Sequence, residues 1–355
     1  MSENKLKTAI LGLDDRGQLL LEAACQIDYF QIQAVADKDA ELAKTAAAQY
    51  QCTAYDDYRQ LIMQNQLDCL LVAAAIYTCD EYIRMAMKKK FNILKLTPPA
   101  RDFEEAAKFV RLAEEQNINF AVAAPQRFAK SFLALRQFLQ KGQPPIKSGV
   151  YLITAFCSTG DRRRPGWQSD PKLAGGGVLL HNCYELIDQI ICNFGTPQQV
   201  YCIKTNTAGD RQQRLCLTED TAVATMRFAE ASIGNLIAGR PFQPSQEFLK
   251  VYGKNKILTV TKNRFTVSDA LGRPKEESEY DDDDLACMTE QLKNFALSIL
   301  QPDENKLCSS GSENLHNMAV IESAYVSAHT GFPEQPAKIL EMAQVEPTNI
   351  WQADI

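Results

Sequence analysis

The first 125 residues alternate short apolar runs with stretches of helical periodicity, and this alternation restricts the fold more than any other feature. Apolar runs predict strands at residues 8–12, 30–36, 69–74, 92–96 and 119–123. Helix-like segments lie between them, at residues 40–50, 80–89 and 103–117. Regular alternation of strand and helix produces a parallel sheet covered by helices on both faces. Strands buried on both faces are apolar almost throughout, as these are. The sequence therefore predicts a doubly wound α/β domain over residues 1–125.

The pattern changes after Pro125, where strand-like segments begin to follow one another. A helical segment and a strand come first, and six further strand-like runs follow at 199–205, 221–228, 232–238, 248–252, 257–260 and 264–267. Two helical segments, 285–299 and 313–330, end this region. Successive strands with few helices between them indicate a mostly antiparallel sheet with helices on one side. We predict a second domain, of α+β type, over residues 126–355.

Charge and cysteine usage narrow the class of partner. The chain has 355 residues, a net charge of −6 and 11 cysteines. This net negative charge argues against non-specific binding to nucleic acid or to an anionic membrane. The cysteines are scattered, with no C-x-x-C pair, which favours free thiols in a reducing cytoplasm over a disulfide framework. The acidic run 281–284 is expected to be an exposed linker, because adjacent like charges repel.

A glycine turn follows the first predicted strand. Gly12 and Gly17 hold the first and third places of a G-x-G-x-x-G pattern, whereas Asp14 holds the middle place. In a dinucleotide site the middle glycine lets the backbone approach the diphosphate at the helix N-terminus. A carboxylate there adds bulk and repels phosphate, although Asp14 could instead cap the following helix. Asp37, at the end of the second strand, is placed either to accept hydrogen bonds from a ribose diol, which favours NAD over NADP, or to cap the next helix.

The segment 174–188 combines three consecutive glycines with an apolar helical run. His181, Glu185 and Asp188 stand at positions i, i+4 and i+7, so one helix face can carry an imidazole and two carboxylates. Charged groups on an otherwise apolar helix need a cavity, a partner or a chemical role. A helix with one solvated edge is the competing interpretation. A metal site is a lesser alternative, because no second cluster of ligands accompanies these residues.

Several short motifs recur along the chain in a particular order and spacing. They are the Gly12 turn, residues 34–37, 126–128, 166–171, 175–177, 251–253 and 321–325, and the Thr330-Gly331 pair. Together they resemble the Gfo/Idh/MocA family over nearly the full length. The resemblance implies a Rossmann domain followed by an α/β domain whose large open, mostly antiparallel sheet commonly forms oligomer contacts. It also implies hydride transfer between a nicotinamide and a carbohydrate or polyol hydroxyl.

The chain departs from the family where the family carries its catalytic lysine. The family's Glu-Lys-Pro corresponds to Leu96-Thr97-Pro98, and a threonine hydroxyl neither carries positive charge nor acts as a base near neutral pH. Lys95 shares the strand face of Thr97 and could supply the missing amine. Alternatively, Lys95 is an ordinary strand-end lysine that reaches solvent. The loop 74–79 replaces the family's polar cofactor contacts with apolar side chains.

The resemblance also assigns candidate roles, residue by residue. The family's Asp and His on the glycine-preceded helix correspond to His181 and Glu185, and we hypothesise a reversed acid/base pair in which Glu185 orients His181 and raises its pKa. The candidate catalytic residues are His181, Glu185, Thr97 and Lys95. The candidate cofactor contacts are Gly12, Asp14, Arg16, Gly17, Asp37, Ala74, Ile76 and Pro98. The candidate substrate contacts are Arg127, Trp167, Lys172 and Asn182.

Two functions remain open at this point. The first is an NAD- or NADP-dependent oxidoreductase that acts on a sugar, a polyol or a related hydroxy compound. The second is a non-catalytic family member that binds a ligand as a sensor or partner subunit. In both cases the expected partners are a small molecule and further copies of the chain, as a homodimer or homotetramer through the C-terminal sheet, with no resident metal.

Overall fold

The computed structural model describes residues 5–141, 149–160, 166–206 and 217–344. The chain folds into a six-stranded parallel sheet with its helices, followed by an eight-stranded sheet with helices on one face. The predicted α/β and α+β architecture is confirmed. No helix within these ranges is both long and apolar enough to cross a membrane.

The first domain alternates strand and helix as predicted, and its sheet has the order β3-β2-β1-β4-β5-β6. Every neighbouring pair of strands in this sheet is parallel. The elements are β1 (Leu6–Leu11), α1 (Asp15–Cys25), β2 (Phe30–Ala36), α2 (Ala40–Tyr50), β3 (Thr53–Tyr55), α3 (Tyr58–Gln64), β4 (Cys69–Val72), α4 (Ile76–Lys88), β5 (Asn92–Leu96), α5 (Phe103–Gln116) and β6 (Phe120–Ala123).

The second domain begins with a 3-10 turn, Pro125–Phe128, and α6 (Lys130–Gln140). Its sheet has the order β14-β13-β12-β11-β7-β10-β9-β8, in which only β7 and β10 pair in parallel. The remaining elements are β7 (Val150–Ser158), α7 (Pro171–Ala174), α8 (Val178–His181), α9 (Tyr184–Phe194), β8 (Gln199–Thr205), β9 (Thr221–Arg227), β10 (Ile233–Gly239), β11 (Gln246–Gly253), β12 (Lys256–Thr261), β13 (Arg264–Asp269), β14 (Pro274–Glu279), α10 (Asp284–Leu300), α11 (Gly311–Thr330) and α12 (Pro336–Met342).

The two domains are packed together by helices from the end of the chain. Helix α10 contacts α1 of the first domain, and α11 packs against both α5 and β8. Phe295 on α10 and Leu315 on α11 are almost fully buried. The C-terminal helices therefore hold the nucleotide-type sheet against the second domain, with a cleft between them at the carboxyl ends of the parallel strands.

The acidic run 281–284 is exposed at Asp281, Asp283 and Asp284, as predicted, but not at Asp282. Asp282 is buried and its two carboxylate oxygens accept the amides of Lys130 and Ser131 at 2.7 and 2.9 Å. Asp283 caps α10 by accepting from the amide of Ala286. Unpaired amides at two helix N-termini stabilise these carboxylates, and this local attraction exceeds the mutual repulsion of the run.

Candidate active site

The glycine turn has the close-packed geometry of a dinucleotide cradle. Gly12 has φ +90°, and a Cβ atom on it would lie 2.4 Å from the backbone nitrogen of Ala74. A Cβ on Gly17 would lie 2.1 Å from the carbonyl oxygen of Gly12. Both positions therefore exclude side chains, and α1 starts directly against the end of β1.

Asp14 caps α1, as the alternative interpretation of this residue predicted. Its Oδ1 accepts the amide of Gly17 at 3.0 Å. The amides of Asp15 and Arg16, also in the first turn, have no intrahelical acceptor and still point out of the helix N-terminus. The turn thus fits a nicotinamide dinucleotide, held by Gly12, Gly17 and the first-turn amides, with the Asp14 carboxylate as the one unfavourable neighbour for phosphate.

Asp37 lies at the end of β2 and fastens the glycine turn. Its Oδ2 accepts the amide of Leu13 at 2.7 Å and its Oδ1 accepts that of Asp39 at 2.9 Å. The carboxylate is half-buried, at the strand end from which a ribose diol would be reached. Its role toward a ribose stays a prediction.

A cavity of about 370 Å³ opens beside this turn and is lined from both domains. Its volume is in the range of small-molecule sites in proteins. Ten of the candidate residues line it: Asp14, Arg16, Ala74, Ile76, Lys95, Thr97, Pro98, Trp167, His181 and Asn182. Three further lining residues, Ala75, Leu96 and Gln168, belong to motifs that the sequence analysis singled out, whereas Ala73, Thr159 and Arg240 were not predicted.

Thr97 is joined to Arg16 across the cavity. The Arg16 guanidinium donates to the carbonyl oxygen and to the Oγ1 of Thr97, both at 3.1 Å. Because Oγ1 accepts from Arg16, the hydroxyl hydrogen of Thr97 can be donated to a ligand. The positive charge that threonine lacks is thus supplied by an arginine from the first turn of α1.

Lys95 does not reach solvent, so the interpretation as an ordinary strand-end lysine is wrong. The side chain is buried, and its Nζ donates to the carbonyl oxygens of Leu96 and Pro98 at 3.1 and 2.8 Å. Lys95 and Thr97 line the same cavity, as their shared strand face predicted. Burial lowers the pKa of Lys95, and the nearby Arg16 lowers it further.

The helix that carries His181 is shorter than predicted. It ends at His181, and a separate helix, α9, begins at Tyr184. The start of α8 is fixed by the buried Glu219, which accepts the amides of Gly177 and Leu179, and a Cβ on Gly177 would lie 2.0 Å from the Glu219 carbonyl oxygen. The prediction of one continuous face bearing His181, Glu185 and Asp188 is therefore wrong.

A hydrogen bond and an aromatic contact help to hold His181 at the cavity wall. Its Nε2 lies 2.9 Å from the carbonyl oxygen of Ala174, and its ring meets the Trp167 ring edge-on at a centroid distance of 5.8 Å. Since a carbonyl only accepts, Nε2 carries a hydrogen, and Nδ1 is the basic nitrogen of the neutral ring. Glu185 does not orient this ring, so that part of the reversed-pair hypothesis is wrong.

Glu185 faces a second cavity of about 330 Å³ on the other side of Arg16, which lines both. Its Oε2 accepts the Gln126 amide at 3.4 Å. Burial raises the pKa of Glu185 to about 7, with Glu247 adding to the increase and Arg16 opposing it. At neutral pH this carboxyl group therefore exchanges a proton readily, but away from His181.

Asp188 and Arg127 form a buried ion pair instead of contacting substrate. Nε and Nη2 of Arg127 donate to the two oxygens of Asp188, both at 2.7 Å, and Nη1 donates to Glu313 at 2.5 Å. Arg127 does not line the cavity, because these carboxylates hold its guanidinium behind α9. Lys172 is exposed on α7 and also lies outside the lining. The substrate role expected for Arg127 is replaced by a structural one, and neither residue reaches the cavity.

Arg240 and Thr159 enter the cavity from the parallel pair β7–β10. Each is the first residue after its strand, and parallel strands end at the same edge of a sheet. Nε of Arg240 donates to Oδ1 of Asn182 at 3.1 Å. In the sequence, the one indication of a role for Arg240 and Thr159 is that each is a polar residue directly after an apolar strand. Nothing in the composition of β7 and β10 indicates that they pair with each other.

The described residues contain no cluster of three or more His, Cys, Asp or Glu side chains arranged for a metal ion. What the site does contain is a glycine cradle for a dinucleotide, a histidine, a hydroxyl–guanidinium pair and a buried amine around one cavity. A two-domain α/β protein with this arrangement belongs to the dinucleotide-binding oxidoreductase class by fold and site.

Family models identify the chain within that class. Residues 6–124 match the Gfo/Idh/MocA oxidoreductase family, NAD-binding Rossmann fold, and residues 149–333 match the C-terminal alpha/beta domain of the same family. The chain therefore belongs to the Gfo/Idh/MocA family, as its motifs predicted.

Individual relatives are distant. A 2,7-anhydro-N-acetylneuraminate hydratase of Escherichia coli is 23% identical over 225 residues, which is 61% of this chain and 57% of that protein. D-xylose 1-dehydrogenase (NADP(+)) 2 of Haloferax volcanii is 24% identical over 203 residues, 56% of this chain and 60% of that protein. The chain thus matches little more than half the length of these curated relatives.

Solved structures show the same fold over almost the whole chain. An Agrobacterium radiobacter oxidoreductase in complex with NAD+, L-tartaric acid and magnesium has a TM-score of 0.80 and 15% identity. The alignment covers 95% of this chain and 100% of that one. The likeness confirms the two-domain architecture.

Proposed function

We propose that this chain is a nicotinamide-dependent oxidoreductase that oxidises a hydroxyl group of a sugar, a polyol or a related hydroxy compound. The observation that carries the proposal is the convergence of His181, Thr97 and Lys95 on one cavity that begins at the Gly12 turn. Family membership and the sugar dehydrogenases among its relatives support the same reaction class.

Oxidation of an alcohol to a carbonyl removes a hydride from carbon and a proton from oxygen. The bound nicotinamide supplies the two-electron hydride acceptor. The protein has to hold the hydroxyl group, accept its proton and stabilise the charge that develops on oxygen.

His181 is the proposed proton acceptor. Its Nε2 hydrogen is committed to the Ala174 carbonyl, so the proton from the substrate goes to Nδ1. The edge-on contact with Trp167 restricts the ring to this orientation. An imidazole has the appropriate basicity near neutral pH, whereas the hydroxyl of Thr97 does not.

Thr97 and Arg16 together replace the missing family lysine. The hydroxyl of Thr97 donates to the substrate oxygen, and the Arg16 guanidinium bonded to its Oγ1 stabilises developing negative charge. Lys95, which lines the same cavity and bonds the carbonyl oxygen of Pro98, adds positive charge from the buried side. NAD is the favoured cofactor, because Asp37 at the end of β2 would accept from an unmodified ribose and repel a 2′-phosphate.

The proposal is tested by following reduced nicotinamide formed from NAD+ or NADP+ with a panel of sugars, polyols and sugar acids. We expect His181→Ala to lower kcat by about 10²- to 10⁴-fold, the usual contribution of a general base. His329→Ala is the matched control, since His329 is exposed at the end of α11. Dinucleotide binding without turnover on any member of the panel would favour the non-catalytic, ligand-binding alternative.

The outer face of the eight-stranded sheet is the proposed contact between copies of the chain. Tyr151, Ile203, Val223 and Ile233 on neighbouring strands are each more than two-fifths exposed. Exposed apolar side chains that share one face of a sheet are typical of an interaction site. Light scattering should detect a dimer or tetramer, and Ile203→Lys should convert it to monomer. A wild-type chain that is monomeric at high concentration would contradict this contact.

A further inference from the structure

Arg240 is a buried guanidinium that the proposed reaction does not use. It is 3% exposed, immediately after β10. Its Nε donates to Asn182, and its Nη2 is buried with no hydrogen-bond partner in the described parts of the chain. No carboxylate of the described residues forms an ion pair with it. Burying a cation without an anion costs desolvation free energy. This arrangement therefore points to a ligand that supplies the missing anionic partner of Arg240.

The charges around the cavity favour an anionic ligand. Arg16, Lys95 and Arg240 line it, and Asp14 is the one carboxylate among the lining residues. Asp14 is already bonded to the amide of Gly17. Within the described residues the hydrogen-bond acceptors of these three cations are neutral: carbonyl oxygens for Lys95, Thr97 for Arg16 and an amide oxygen for Arg240. The described lining therefore carries a net positive charge.

The anion that Arg240 meets is not the diphosphate of a dinucleotide. A diphosphate would be held at the N-terminus of α1, in the first domain, by Gly12 and Gly17. Arg240 belongs to the second domain, and its partner Asn182 is adjacent in sequence to His181. Arg240 thus lies on the side of the cavity where the group to be oxidised meets its base.

A carboxylate suits this position better than a phosphate. A guanidinium is planar and pairs with a carboxylate through two parallel hydrogen bonds. One guanidinium neutralises the single charge of a carboxylate, whereas a phosphate monoester carries about 1.5 to 2 charges near neutral pH.

We propose that Arg240 binds the carboxylate of the substrate, so that the substrate is a hydroxy acid of the sugar-acid class. This inference rests on the proposed function for the identity of the reacting hydroxyl. The binding of a sugar acid at Arg240 can nevertheless be measured without any turnover.

The test is calorimetric titration of the full chain, with and without NADH, against D-gluconate, D-glucitol and D-glucose 6-phosphate. We expect gluconate to bind at least about 30-fold more tightly than glucitol and more tightly than the phosphate, as expected for a desolvated charge pair. Arg240→Met should remove this preference for gluconate over glucitol. Arg264→Met, which removes an exposed arginine on β13, is the matched control and should retain it.

Several results would overturn the inference. They are equal binding of gluconate and glucitol by the wild-type chain, no binding of gluconate, stronger binding of the phosphate, or an unchanged preference in Arg240→Met. If Arg240→Met does not fold, Arg240→Lys is the second variant. It keeps the positive charge but lacks the planar guanidinium, so it should retain only part of the preference for gluconate over glucitol. Selective gluconate binding without any NADH binding would refute the proposed function and leave the role of Arg240 intact.

Discussion

Arg127 and Arg240 are both buried, at 7% and 3% exposure, but their surroundings differ. Arg127 is enclosed by two carboxylates, Asp188 and Glu313, and the Asp188 side chain is held in turn by Asn317 at 2.7 Å. Arg240 has one amide oxygen and a buried Nη2 without a partner in the described residues. A fully paired arginine stabilises the fold, whereas a partly paired one is available to a ligand.

The same contrast separates two carboxylates on α9. Asp188 is paired with Arg127 by two short hydrogen bonds. Glu185, one turn earlier, accepts a long hydrogen bond from the backbone of Gln126 and faces the second cavity. Burial, which Arg16 offsets only in part, raises its pKa to about 7.

The largest expected loss of stability comes from breaking the ion pair between Arg127 and Asp188. Asp188→Ala should lower the free energy of unfolding by about 3 to 5 kcal/mol, because it leaves a buried guanidinium with one partner fewer. Urea denaturation measures this loss. The control is Glu81→Ala, which removes the exposed partner of Arg59 and should cost at most about 1 kcal/mol. Equal losses in the two variants would contradict the structural role of Arg127.

A smaller effect, dependent on pH, is expected at Glu185. Its folded-state pKa is raised from 4.5 to about 7, so its contribution to stability is complete below about pH 4.5 and is lost as the pH rises through 7. Glu185→Gln should abolish that loss. Relative to wild type, it should therefore gain about 1 to 2 kcal/mol between pH 5 and pH 8, allowing for partial solvent screening.

Thermal unfolding of both proteins across this pH range measures the difference. Glu115→Gln, on an exposed carboxylate of α5, serves as the control and should run parallel to wild type. A difference between Glu185→Gln and wild type that stays constant with pH would show that Glu185 titrates normally.

The smallest effect on stability is expected at Arg240. Arg240→Met should change the free energy of unfolding by less than about 1 kcal/mol, because removal of a poorly compensated cation offsets the loss of its bond to Asn182. Arg127→Met, measured by the same urea denaturation, should cost several times more. A comparable loss in the two variants would erase the distinction between the paired and the partly paired arginine.

Local patterns predicted most of the fold. The strands at 30–36, 92–96 and 199–205 and the helix at 40–50 occur with the predicted bounds. Their hydrophobic periodicity reflects the faces that they bury. Strand β14 was not predicted, because all of its residues are exposed at the sheet edge and therefore show no apolar alternation.

Long-range contacts decided the parts of the site that the sequence could not show. The start of α8, the helix that ends at His181, is held by Glu219, which is 42 residues away from Gly177 in sequence. Arg240 reaches the cavity because β10 pairs in parallel with β7, a pairing that neither strand's composition encodes. Arg127, by contrast, was recognised as important but assigned to the substrate, since its partners Asp188 and Glu313 are brought together only by the packing of α9 and α11.

Calorimetric titration of NADH into the wild-type chain and Asp14→Gly tests the central claim most directly, namely that the cleft holds a nicotinamide dinucleotide. We expect wild-type binding in the micromolar range, about −8 kcal/mol, and tighter binding by Asp14→Gly, because the variant removes a carboxylate that repels the diphosphate. No binding by the wild type, with affinity appearing only in Asp14→Gly, would contradict the account. It would mean that Asp14 closes the phosphate site and that the chain works without a hydride carrier.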